Sequence, residues 1–219
     1  MRKYLFTLAL SLVTLISGAQ IGAGQWKIHP YYIGNNVSNC IDAGHRVFYL
    51  SNGSLFYYDK DSQTNNNIDA TGDLNDENIK QIYYDFDNGY LFVAYDNCNI
   101  DIIKNDNTVV NVSAIKDVVL STAKSINDIT FANGKAYVAT SFGYIVIDES
   151  NFAVSEVRNY DYDVASIAVV GQYKLMSLYS RYYYGLVDEQ METIGYWKKV
   201  DQPNGNGRII PSTTISFSC

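Results

Sequence analysis

Histidine, cysteine, serine and carboxylate side chains carry most enzyme chemistry, and this chain sets few of them at a working spacing. It has two histidines, His29 and His45. His29 precedes Pro30, and His45 follows Gly44 in a turn-forming stretch. No helical spacing pairs them as metal ligands, and no close cysteine pair supports zinc. Both read as structural or solvent-facing. Ser113 to Lys116 and Ser121 to Lys124 match S-x-x-K by letter. The companion S-D-N and K-T-G elements are missing, and so is a G-x-S-x-G nucleophile elbow.

Carboxylates are more numerous but do not fall into a frame. Asp59, Asp61 and Asp69 lie in a polar stretch with Asn65 to Asn67 between them. A calcium loop counted from Asp59 needs glycine at its sixth position and a bidentate acid at its twelfth. Those positions are Thr64 and Ala70. Asp73, Asn75, Asp76 and Glu77 cluster without a matching pattern. Asp59, Asp148 and Asp188 recur at equivalent places, which marks a turn-forming device that caps its own backbone rather than a catalytic acid. No enzyme activity, metal or cofactor is expected.

Aromatic residues are the remaining resource. The 219 residues include 20 Tyr against 9 Phe and 2 Trp. Tyrosine fits pleated, half-buried surfaces, and it also fits binding faces, where the ring buries area while the hydroxyl stays wet. The clusters are Tyr31-Tyr32, Tyr83-Tyr84 and Tyr182-Tyr183-Tyr184. Strand alternation turns at least one ring of each outward. Tyr31, Tyr32, Tyr83, Tyr84, Tyr182, Tyr183 and Tyr184 are therefore the candidate binding surface, for a protein or for stacking on sugars. Wedging between sheets is the competing use of any one ring.

The elements that must position these rings repeat. Three segments, 38–59, 79–103 and 125–148, share one template of strand, tight turn, strand, polar or small break, and strand. A fourth, 164–189, follows it less faithfully, with 191–200 expected as its last strand. Aligned on Ile41, Ile82, Ile129 and Ile167, the spacings are 41, 47 and 38. Three or four strands at such a period are the signature of a β-propeller blade. Asn133-Gly134 reads as a type I′ hairpin turn, and Asp87-Asn88-Gly89 and Ala43-Gly44 as its counterparts. The apolar runs are nearly continuous, as in blades covered on both faces. The stretch 59–77 is rich in Asn and Asp and reads as a loop.

The expected fold is all-β, with four-stranded antiparallel blades, about four of them, forming a partial ring. The expected boundaries are a signal peptide at 1–19, the propeller at 20–200 and an irregular tail at 201–219. Arg2, Lys3, the apolar run Leu5 to Ile16 and the small residues Ser17 to Ala19 make the leader. That run is too short to span a membrane. The net charge is −7, and losing Arg2 and Lys3 leaves −9. With no basic cluster, a nucleic-acid partner is excluded. Export permits disulfides, but Cys40, Cys98 and Cys219 are an odd set, and free thiols remain as plausible as a Cys40–Cys98 bridge. Asn36, Asn52 and Asn111 stand in N-x-S/T sequons, which matter only in a eukaryotic secretory route.

The stretches GDLNDENIKQIYYD (72–85), LFVAYDNCNIDII (91–103) and KSINDITFANGKAYVATSFGYIVID (124–148), with Trp26 to His29, resemble the N-terminal propeller of PorZ-type proteins. The resemblance spans roughly 25–190. It also touches sensor propellers attached to two-component regulators. It implies a non-enzymatic module of the type IX secretion system of Bacteroidota, exported to the periplasm or the outer-membrane surface. The implied partners are secretion-system or cell-surface proteins, with a surface glycan or lipopolysaccharide as a further possibility. PorZ-type proteins carry a second propeller and a C-terminal signal domain, so this chain is expected to be a shortened member. The alternative is a periplasmic sensor or glycan-binding propeller.

Overall fold

The computed structural model describes residues 36–68, 74–119, 123–178, 180–200 and 208–209. Tyr31, Tyr32, the leader, His29 and Cys219 lie outside the described residues.

Among the described residues, sixteen strands form four four-stranded antiparallel sheets, each a meander in chain order. Blade 1 holds β1 (Val37–Asp42), β2 (Arg46–Ser51), β3 (Ser54–Asp59) and β4 (Thr64–Ile68). Blade 2 holds β5 (Ile79–Asp85), β6 (Tyr90–Tyr95), β7 (Ile100–Ile103) and β8 (Val109–Val112). Blade 3 holds β9 (Ile126–Ala132), β10 (Lys135–Thr140), β11 (Gly143–Asp148) and β12 (Ala153–Asn159). Blade 4 holds β13 (Val164–Val170), β14 (Tyr173–Leu178), β15 (Arg181–Leu186) and β16 (Lys198–Lys199).

The turns follow from residue type. Asn133 and Gly134 have φ of 54° and 68°, the pair of left-handed residues that a type I′ turn requires. Asn52 and Gly53 repeat it between β2 and β3, with φ of 51° and 74°. The Asp87-Asn88-Gly89 turn is built differently. Only Gly89 has positive φ, and the Asp85 carboxylate accepts the N–H groups of Asp87 and Asn88. Asp59 and Asp148 are turn devices: Asp59 accepts from the Ser62 N–H and hydroxyl, and Asp148 from those of Ser150. These bonds hold both carboxyls below their usual pKa. Asp106 plays the part in blade 2, taking the Thr108 N–H and hydroxyl.

Two further expectations fail. The stretch 59–77 is not all loop, because β4 pairs with β3 from Leu55–Ile68 to Asp59–Thr64. An outer strand with one covered neighbour needs no apolar alternation, so its Asn run hides it. The last strand of blade 4 shrinks to Lys198–Lys199. Met191 and Trp197 are pulled into the core instead. The Tyr160 hydroxyl donates to the Met191 carbonyl and accepts from the Trp197 indole N–H. A 3₁₀ turn, Ile194–Tyr196, spans the gap.

Three apolar cores lie between successive blades. Phe48, Leu50, Ile82, Leu91 and Val93 join blades 1 and 2. Phe92, Ile100, Ile102, Ile129, Val138 and Ile145 join blades 2 and 3. Tyr144, Val146, Ile167, Met176 and Trp197 join blades 3 and 4. Among the described residues no fourth core joins blade 4 to blade 1, the arrangement of a partial propeller.

Candidate interaction site

The inner strands β1, β5, β9 and β13 each carry a register shift against their hairpin partner, skipping Ser38, Lys80, Asn127 and Ala165. A bulge of this kind re-aims a side chain. Lys80 Nζ donates to the Ile126 carbonyl at 2.6 Å, and Asn127 Nδ2 to the Val164 carbonyl at 2.9 Å. Asn39 Nδ2 reaches the Ile82 carbonyl at 3.3 Å, and Thr130 Oγ1 the Ile167 carbonyl at 2.5 Å. The blades are thus stitched at the axis by side chains bonding the next blade's backbone. Sequence reasoning missed this. Its signal was a polar residue two places before Ile41, Ile82 and Ile129.

Among the described residues, several polar groups weighed for chemistry in the sequence have partners. Ser113 Oγ donates to Asp117 at 2.6 Å, and Lys116 pairs with Asp76 at 2.6 Å. Lys124 Nζ bonds the Ile115, Lys116 and Val118 carbonyls, closing a single helical turn, Ala114–Asp117. Ser113 and Lys116 are thus each bonded to a carboxylate, and Ser121 lies outside the described residues. His45 Nδ1 pairs with Asp61 at 3.0 Å on an exposed hairpin. Cys40 is exposed and Cys98 buried, and both are free. Burial raises the Cys98 pKa, so it is a poor nucleophile. Asp101, fully buried, accepts from the Asn75 N–H and side chain, Tyr95 Oη and Asn111 Nδ2. It anchors the loop that enters blade 2.

The tyrosine clusters divide by strand alternation. Tyr83 is 2% exposed in the core between blades 2 and 3, where burial raises its pKa far above the usual value. Tyr84 points the other way, onto blade 1. Its ring lies 6.1 Å from Phe48 and 5.0 Å from Phe86, edge-on to the latter. Phe86 is 70% exposed at the β5–β6 turn. In blade 4, Tyr183 packs against the core, whereas Tyr184 meets Tyr173 edge-on at 5.9 Å and Tyr182 lines an open apolar depression.

A cleft opens beside Tyr84 where the hairpin ends of blades 1 and 2 meet. Its walls are Ala43, His45, Arg46 and Phe48 of blade 1, and Tyr84, Gly89, Leu91, Ile103, Lys104 and Asn105 of blade 2. Its volume is about 280 Å³. Arg46 is fixed by three partners: the Tyr57 ring at 4.8 Å, Asn107 Oδ1 at 2.9 Å and Asp59 at 4.0 Å. An aromatic floor with a held guanidinium and an exposed phenylalanine at its lip is the composition of a recognition surface, enriched in aromatics and arginine. Among the described residues no group of three His, Cys, Asp or Glu side chains converges as a metal site. No described helix is long and apolar enough to cross a membrane.

The comparisons extend this picture. No curated protein matches the chain. Among solved structures, PorZ, an essential bacterial surface component of the type IX secretion system of Porphyromonas gingivalis, is similar at 23% identity with a TM-score of 0.69. The match covers 78% of this chain and 24% of that one, so the chain spans about a quarter of PorZ. The extracellular domain of the putative one-component system BT4673 of B. thetaiotaomicron aligns at 14% identity and a TM-score of 0.57, covering 74% of this chain and 22% of that one. At these identities the likenesses establish the fold. The family model for the PorZ N-terminal β-propeller domain of the type IX secretion system matches residues 47–198, more than half of the sequence. The chain belongs to the PorZ N-terminal β-propeller family.

Proposed function

We propose that this chain is an exported, non-enzymatic interaction module of the type IX secretion system, working at the cell surface. Membership of the PorZ propeller family supports the system, and the similar PorZ and BT4673 structures are a surface component and an extracellular domain. The observation that carries an interaction role is Phe86. Phe86 is 70% exposed although its ring meets Tyr84 edge-on, so most of an aromatic surface next to the cleft residue Tyr84 is left to water. The partner is a protein of the secretion machinery that places an apolar side chain in the cleft between blades 1 and 2.

Co-purification tests this. The tagged full-length chain, expressed in its own host, is expected to bring down a type IX component. Phe86→Ser combined with Tyr84→Ser is expected to reduce the yield at least about tenfold, the effect of losing one aromatic hot spot. Equal recovery by the two proteins, with matched melting curves, contradicts the assignment of the cleft.

A further inference from the structure

The inner-strand face of blades 3 and 4 holds a second site, and part of the chain's own tail is seated in it. Asp128 on β9 is 3% exposed. Its Oδ1 takes the Arg208 Nε at 2.8 Å, and its Oδ2 takes the Ser166 hydroxyl at 2.6 Å. Arg208 also donates from an Nη to the Ile129 carbonyl at 3.4 Å and lies 5.5 Å over the Tyr83 ring. Ser166 Oγ in turn accepts the Ile209 backbone N–H at 3.0 Å. Ile209 lines an open apolar depression of about 310 Å³ together with Leu175, Tyr182 and Val200.

These parts make a two-pocket receptor. One pocket offers a buried carboxylate, a carbonyl and an aromatic face, which together suit a planar guanidinium better than an ammonium. The other offers aliphatic and aromatic walls. Ser166 sits between them with its polarity fixed: it donates to Asp128 and accepts one backbone N–H. The order of contacts therefore suits an arginine followed by an aliphatic residue. Burial raises the Asp128 carboxyl above its usual value, and the Ser166 hydroxyl and the Arg208 charge oppose that rise.

We infer that the Asp128–Ser166–Tyr83 face is a binding site for an arginine–aliphatic peptide segment, which Arg208 and Ile209 fill in cis. A partner segment of that type binds by displacing them. This assignment is independent of the cleft between blades 1 and 2.

The test uses the full chain and the peptide acetyl-Arg-Ile-amide, followed by amide chemical shifts in NMR. Arg208→Ala is expected to bind the peptide at least about tenfold more tightly than the wild type, because the resident competitor is gone. Asp128→Asn added to Arg208→Ala is expected to abolish that gain. Acetyl-Lys-Ile-amide is expected to bind Arg208→Ala about tenfold more weakly than the arginine peptide. Where alanine at 208 prevents folding, Arg208→Lys serves, since its ammonium cannot reproduce the fork and is expected to yield to the peptide. A folded variant that binds the peptide no better than wild type, or binding indifferent to Asp128→Asn, overturns the inference.

Discussion

Blades 2 and 3 and blades 1 and 4 come from one repeat, yet their strands differ in burial. β6 is buried at five of six positions, β7 at all four, and β10 and β11 at five of six each. β1 has no buried residue, and β15 has one. Each middle blade is covered by a neighbour on both faces. Each end blade has one face in an inter-blade core. The second face of blade 1 carries Tyr49 stacked on Phe56 at 5.4 Å, and that of blade 4 carries Tyr173 and Tyr184. The same strand–turn–strand template is thus core material in one setting and half-wet in the other. Position in the ring decides the role of each ring-bearing residue, and the tyrosines mark where the covering changes.

The largest expected effect lies in the middle. Phe92 is fully buried and 4.9 Å from Phe131, so Phe92→Ala is expected to cost about 3–5 kcal/mol in urea unfolding. A loss under about 1 kcal/mol would break the claim that this core holds the molecule. Gly143→Ala comes next. A Cβ there would stand 1.9 Å from the Arg158 carbonyl oxygen, at a φ of 152°. The β11–β12 ladder must shift to admit it, at about 2–4 kcal/mol.

The pH dependence sharpens the comparison at the rim between blades 2 and 3. Glu149 is 5% exposed, and burial, with Asp85 and then Asp87 nearby, pushes its carboxyl up to about 8. Asn88 Nδ2 donates to its Oε2 at 3.3 Å, which opposes the shift. The folded state therefore holds a proton that the unfolded state has released. The stabilising contribution is full below the ordinary value of 4.5 and is lost as pH rises to about 8. Glu149→Gln is expected to flatten that part of the stability–pH curve, measured by denaturant titration at pH 5 to 9. An unchanged slope would place the buried proton elsewhere. The smallest effect belongs to an end blade. Tyr49→Ala is expected to cost about 1 kcal/mol or less, since its ring stacks on Phe56 on a half-covered face.

Much of this was legible in the sequence. The Asn-Gly turn at 133–134, the Asp caps at 59 and 148 and the continuous apolar runs of β6 and β10 each state one local rule, and each agrees with the fold. β4 was hidden because an outer strand is specified by its ladder to β3, and TNNNI carries no apolar period. The axial stitching was hidden because Lys80 and Asn127 act only after a bulge turns them toward the next blade. The cleft was half legible. Tyr84 stood out as one of a pair, but Arg46 and Phe48 reach the cleft from β2 of the neighbouring blade, and single-strand patterns do not say which strands meet. Arg208 had no signal, since its partner Asp128 is 80 residues upstream.

The most direct test of an interaction role in type IX secretion is genetic. The gene is deleted in its host, then restored as wild type or as the Phe86→Ser, Tyr84→Ser double variant, and type IX cargo reaching the cell surface is quantified. The expected result is surface cargo lost on deletion, recovered with wild type, and not recovered with a double variant present at wild-type abundance. Undiminished surface cargo in the deletion strain would contradict the role itself, and full recovery by the double variant would contradict the cleft.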